Sequence, residues 1–121
     1  MTPDETTLTH TLVEHLSAML RGRPCRVVAG PARVEIVCQP MFGVGEAAAL
    51  VVITVGDDDG APPPDQPGLR HWLIMAPEMP RVRHHHRFGT EWRQTRIDGI
   101  DGMVDIDSLD IALPLAGLYR R

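Results

Sequence analysis

Three short runs in this chain hold side chains that could do chemistry: His84-His85-His86, Asp57-Asp58-Asp59, and the pair Cys25 and Cys38. Imidazoles bind transition metals and exchange protons near neutral pH. In a strand, successive side chains point to opposite faces, so His84 and His86 can share one metal and His85 cannot join them. Zinc needs a third or fourth ligand, and the sequence names none. Arg81, Arg83 and Arg87 around the run also repel a cation, so a solvated edge strand is the expectation. The aspartates offer the hard oxygens that magnesium takes. They lie in "GDDDGAPPPDQPG", where four prolines and three glycines in thirteen residues support neither helix nor strand. An EF-hand would space its acids at alternate positions and end on a glutamate, which this run does not do. The two cysteines lack further ligands and are expected as reduced thiols, neighbours across a hairpin.

Other catalytic templates find no match. "GVG" at 43–45 lacks the spacing of a phosphate loop. Ser17 and Ser108 are the only serines, and neither sits in a nucleophile elbow. All twelve cationic side chains are arginines, so no side-chain amine can act as a base or contact phosphate. Trp72 and Trp92 read as core or strand-packing residues. No residue is singled out as catalytic, cofactor-binding or metal-binding.

The elements that would position these groups read as follows. Thr2, Pro3 and Glu5 form a helix start, and Leu8, Leu12, Val13, Leu16, Met19 and Leu20 recur on one helical face. Gly22 and Pro24 end it. "CRVVAGPARVEIVC" reads as a β-hairpin turning at Gly30-Pro31, with Val34, Ile36 and Cys38 on one face and Glu35 opposite, toward solvent where the Val34 face is the core. "LVVITV" is continuously apolar and reads as a strand buried on both faces. Residues 57–68 form a Pro/Gly/Asp-rich loop. "LRHWLIMA" and "RVRHHHRF" read as strands around the turn "PEMP", followed by "TEWRQTRI" and the short strand "MVDIDSL". In the tail "LPLAGLYRR", Leu113, Leu115, Leu118 and Tyr119 face inward from a last helical turn. The order is α+β: an N-terminal helix, a mainly antiparallel or mixed sheet, and a short C-terminal helix.

The totals set limits on function. At 121 residues the chain is one domain, 1–121, with a modest core. It is 43% hydrophobic and 23% charged, which fits a soluble globular protein. A net charge of -4 gives no basic footprint for non-specific nucleic-acid binding. The acidic start "MTPDETT" is not a signal peptide, and no apolar run is long enough to cross a bilayer, so a cytoplasmic protein without a membrane partner is expected.

Two stretches resemble one known family. "HTLVEHLSAMLRGRPCRVVAGPARVEI" (10–36) is similar to the N-terminal helix and hairpin of the Uma-type restriction endonucleases of the PD-(D/E)xK nuclease superfamily. Residues 68–121, from "GLRHWLIMAPEMPRV" to "LPLAGLYRR", resemble the family's C-terminal third. Together they cover about two thirds of the chain. The resemblance implies a restriction-endonuclease-like core and magnesium-dependent cleavage of DNA. It fails at the active site. The family's proline-aspartate would fall on Ala49 and Leu50 of "ALVVITVGDDD", and in the alternative register Ile53 replaces the acid. The second acidic strand and the lysine have no counterpart.

Three functions follow as expectations. One is a metal-dependent endonuclease, in which Asp57 to Asp59 with Glu35 would have to rebuild a magnesium site. Another is a non-catalytic module that binds DNA, itself or an intact homologue, with Arg21, Arg23 and Arg26 meeting phosphate. The third is a vestigial product. A truncated core would expose apolar sheet surface and self-associate or lose stability. Magnesium is expected only where a nuclease site survives, and inactivity is the favoured outcome.

Overall fold

A computed structural model describes residues 5–30, 32–39, 48–56 and 68–119. Asp57, Asp58 and Asp59, the proposed cap at Thr2 and Pro3, and Pro31 lie outside the described residues. Within them the architecture is α+β, as the residue pattern indicates. The leucine stripe folds as α1 (Glu5–Met19), with Leu8, Leu12 and Leu16 fully buried. Each buried leucine contributes roughly 1.5–3 kcal/mol relative to an exposed one. Gly22, at φ +83, takes the left-handed conformation that turns the chain out of the helix.

Six strands follow: β1 (Cys25–Gly30), β2 (Arg33–Cys38), β3 (Ala48–Val55), β4 (His71–Met75), β5 (Arg81–Phe88) and β6 (Glu91–Asp98). They pair in chain order in one sheet. Every pairing is antiparallel except β3 with β4, which is parallel. Strands β3 and β4 occupy the centre and are apolar on both faces, which suits a parallel pair covered on two sides. Glu91 pairs with Phe88 around a two-residue turn, and Gly89 supplies the positive φ of +64. A second, two-stranded sheet joins β7 (Met103–Ile106) to β8 (Ile111–Pro114) through a 3-10 turn, η1 (Asp107–Leu109). The chain's last described element is α2 (Leu115–Tyr119).

One face of the large sheet carries the main core. Val34, Ile36, Val51, Ile53, Leu73, Met75 and Val82 meet the leucines of α1, and β7, β8 and α2 close over them with Val104, Ile106, Leu113 and Leu115. The tail thus divides: Leu113 is inward on a strand, while Leu115, Leu118 and Tyr119 are inward on the helix. The Tyr119 hydroxyl donates to the Ala76 carbonyl at 2.6 Å. On the opposite face Val52, Leu69, Trp72 and Ile74 form a smaller cluster, with Trp92 packed against it. Both tryptophans are therefore packing residues. Glu35 sits opposite the buried Val34 and Ile36, paired with Arg33 at 3.4 Å.

Two expectations are corrected here. Cys25 and Cys38 are not reduced thiols: they are cross-strand partners at a Cα separation of 4.0 Å and form a disulfide. The pair sits beside the backbone bond from the Gln39 amide to the Pro24 carbonyl, so it occupies a non-hydrogen-bonded position, where opposed side chains approach closely. The histidine run is not a solvated edge strand either. Strand β5 lies between β4 and β6, and His84 is buried.

Candidate metal centre

The hairpin between β4 and β5 builds the site. Its register sets His71 directly opposite His86 and Leu73 opposite His84. On the core-facing side the ladder runs from Met75 and Val82, through Leu73 and His84, to His71 and His86. The same face thus passes from apolar core to three imidazoles over two residue repeats. His85 points to the other face and stacks on Trp72 at 4.7 Å. His84 and His86 share one face, as strand alternation requires, and His71 joins them there from β4.

The fourth participant comes from η1. Leu109 is buried and anchors the turn, and the Arg23 guanidinium donates through Nη1 to the Leu109 carbonyl. Arg23 is thus a tether between the end of α1 and η1. Asp110 closes the turn in the left-handed conformation, its amide donating to the Asp107 carbonyl at 3.1 Å. This places the Asp107 carboxylate 3.3 Å from His71 Nε2 and 3.4 Å from His86 Nε2 through the same oxygen, Oδ1. One donor atom from each of these three residues lies within 4.8 Å of the other two.

The remaining contacts orient the rings. His71 and His86 stack at 4.3 Å between centroids. His71 Nδ1 lies 2.8 Å from His84 Nε2, and His71 Nε2 lies 2.9 Å from Ser108 Oγ. The ring of His71 is fully buried, so its outward nitrogen is fixed in direction. A metal on Nε2 would take its lone pair, and the Nδ1–H would then donate to His84 Nε2. Histidine ligands are commonly held by such a partner on the second ring nitrogen. His84 can serve as donor or acceptor because it is neutral in either tautomer.

Burial, and then the neighbouring imidazoles of His86 and His84, push the pKa of His71 down to about 4, against a smaller upward pull from Asp107. Burial and then His86 lower His84 in the same way. Both rings are therefore held in the neutral form that metals require. The line Ser108–His71–His84 also has the outline of a nucleophile, base and orienter. A base with a pKa of about 4 has little drive to remove a hydroxyl proton at neutral pH. The metal reading suits these rings better.

Two histidines and one carboxylate are a ligand set for first-row transition metals such as zinc, iron(II) or manganese. Three protein ligands leave at least one position open, the feature that separates catalytic from structural zinc. Magnesium, which the nuclease resemblance implies, prefers oxygen ligands and does not fit two imidazoles. Of the groups weighed in the sequence, His86 joins this centre, His84 supports it, and His85 does not take part. His71 and Asp107 were not anticipated as ligands.

No protein-family model matches the chain, and no curated protein matches it.

Proposed function

We propose that the chain binds a divalent first-row transition metal, zinc in the first instance, through His71, His86 and Asp107. The observation that carries this is the meeting of three donor atoms within 4.8 Å at a wall of stacked imidazoles. With an open coordination position the metal can act as a Lewis acid or lower the pKa of a bound water, so hydrolytic chemistry is the reaction class that follows. The test is zinc titration of the untagged, chelator-treated protein by calorimetry. About one ion per chain should bind, and His86→Ala or Asp107→Ala should weaken it by about 10–100-fold while the circular dichroism spectrum is kept. Equal zinc uptake by a His71→Gln/His86→Ala double variant would sink the reading.

A second reading keeps the nuclease resemblance, as a non-catalytic module that contacts DNA or an intact homologue. Its support is the β5–β6 hairpin, where five of the chain's twelve arginines (Arg81, Arg83, Arg87, Arg93 and Arg96) lie among Phe88 and Trp92. Two-stranded ribbons of this kind can enter a DNA groove. The counterweight is that Asp98 pairs with both Arg81 and Arg96. Plasmid incubation with magnesium or manganese, beside binding titrations at two salt concentrations, tests it. Salt-sensitive binding without nicking is expected for the DNA partner, and no binding at low salt would leave only the homologue as partner.

No helix among the described residues is long and apolar enough to cross a membrane. On compartment, the cytoplasmic expectation and the disulfide pull apart, because a reducing cytoplasm keeps such pairs as thiols. Alkylation of freshly lysed cells before and after reduction reads out which state the protein holds.

A further inference from the structure

A cleft of about 430 Å³ opens beside the three histidines, between β5–β6 and β7. His86 and Asp107, two of the three proposed metal ligands, line it, as do Arg93 and Thr95 of β6. Arg93 is the direct cross-strand partner of His86, so its position relative to the metal is fixed by the sheet register. The guanidinium lies over the Phe88 ring, 4.7 Å from its centroid, and Phe88 in turn packs on His86 at 4.3 Å. The aromatic ring holds the cation beside the metal ligand. A planar guanidinium held in this way presents paired N–H donors to an oxyanion.

The remaining walls are apolar. Phe88 and Met103 are 47% and 53% exposed, two of the most exposed large apolar side chains among the described residues, and both line this cleft. Ile97 lines it as well. Exposed apolar side chains gathered at one concave site mark a place where a ligand is desolvated. The charges decide when it can bind. Asp105 and Asp107 against Arg93 leave the metal-free cleft net negative, and a divalent ion reverses that sign.

We propose that this cleft binds a small organic oxyanion, a carboxylate or phosphate carrying an apolar group, with one oxyanion oxygen on the metal and another on Arg93. The apolar group lies against Phe88, Ile97 and Met103. The proposal rests on the metal reading above and assigns that site its ligand class. Arg93 is a specificity-determining residue and not a metal ligand.

The experiment uses the full chain loaded with zinc, titrated by calorimetry with acetate, benzoate and phenylphosphate. Benzoate or phenylphosphate should bind about tenfold or more tightly than acetate, and whichever of the two is preferred distinguishes a carboxylate from a phosphate source. Removing zinc with a chelator should abolish binding. Arg93→Gln, at an exposed position, removes a cation beside the metal ligands, so the variant should bind zinc at least as tightly as wild type and oxyanions about tenfold or more weakly, the worth of a lost charge-assisted hydrogen bond. A protein that binds zinc but no oxyanion, or an Arg93→Gln variant with unaltered oxyanion affinity, overturns the proposal and leaves the metal reading standing. Failure to bind zinc overturns both. Equal affinity for acetate and benzoate removes the apolar half of the site and with it the ligand class.

Discussion

The buried imidazole of His71 should make the metal-free protein sensitive to acid in a defined window. Its pKa is about 4 in the fold and near the ordinary 6.5 once the chain unfolds. Between those values the unfolded chain takes up a proton that the folded chain refuses, so stability falls as the pH falls. The contribution is complete above pH 6.5, is lost progressively toward pH 4, and changes no further below that. The ring is fully buried, so desolvation is the main cause of the shift. The difference between the two pKa values corresponds to about 3 kcal/mol. His84 is lowered by the same cause and adds to the loss with the same sign. For a domain of this size, about 3 kcal/mol moves the midpoint of thermal unfolding by about 12 °C. The perturbation is His71→Gln, which keeps an amide near Ser108 and His84 but cannot titrate. Urea unfolding in chelator, at steps from pH 7 to pH 4, gives the difference in stability between wild type and variant. That difference should shrink by about 3 kcal/mol across the window, because carboxylates common to both proteins cancel. A difference that stays flat from pH 7 to pH 4 would refute the claim that His71 is held neutral by burial.

Two further outcomes follow from the scaffold. Reducing the Cys25–Cys38 bridge, which closes a segment with a sequence separation of 13, should lower stability by up to about 3 kcal/mol on the chain-entropy account, read from denaturation with and without reductant. Gly102→Ala should destabilise by about 1–3 kcal/mol in the same assay, because its Cβ would lie 2.5 Å from Ile97 Cγ2 and 3.1 Å from both Leu115 Cδ1 and the Gly99 carbonyl oxygen. A wild-type midpoint for that variant would mean that β7 can move off β6 without loss.

Much of the framework was readable from local pattern. The leucine repeat of α1, the hairpin with Val34 and Ile36 inward, and the doubly buried valine strand each express a periodicity that one segment contains by itself. The site was not readable in that way, since its ligands come from three segments. Half of it was within reach. The "PEMP" turn places Ala76 beside Arg81, whose carbonyl accepts from the Ala76 amide at 3.0 Å, and counting back along both strands from that pair sets His71 opposite His86. Asp107 offers no comparable signal. It reaches the histidines from η1, in the link of the second sheet, where Arg23 ties η1 down, and that contact has no local signature. The edge-strand expectation for the histidine run failed for a related reason. A histidine run flanked by arginines looks solvated, but His84 shares its face with the core residue Val82 and is buried with it. The disulfide escaped because two cysteines in hairpin register say nothing about oxidation state.

The placement of the imidazoles bears on why such a cluster exists. Along β4 and β5 the core-facing positions are Met75, Val82 and Leu73 before they become His84, His71 and His86. A leucine or methionine at position 71 would extend the same core, and replacing buried polar groups with packed apolar ones is often neutral or stabilising. The fold instead holds His71 and His84 neutral against their ordinary tendency to protonate, and aligns His71 Nε2 and His86 Nε2 on one carboxylate oxygen. Alignment of that kind has no packing value. It has value to an ion that binds the folded chain alone, which stabilises by about 2.7 kcal/mol at a hundredfold excess over its Kd. Proton and metal compete for the same Nε2 lone pair, so the burial that keeps the proton off also keeps the nitrogen open for metal.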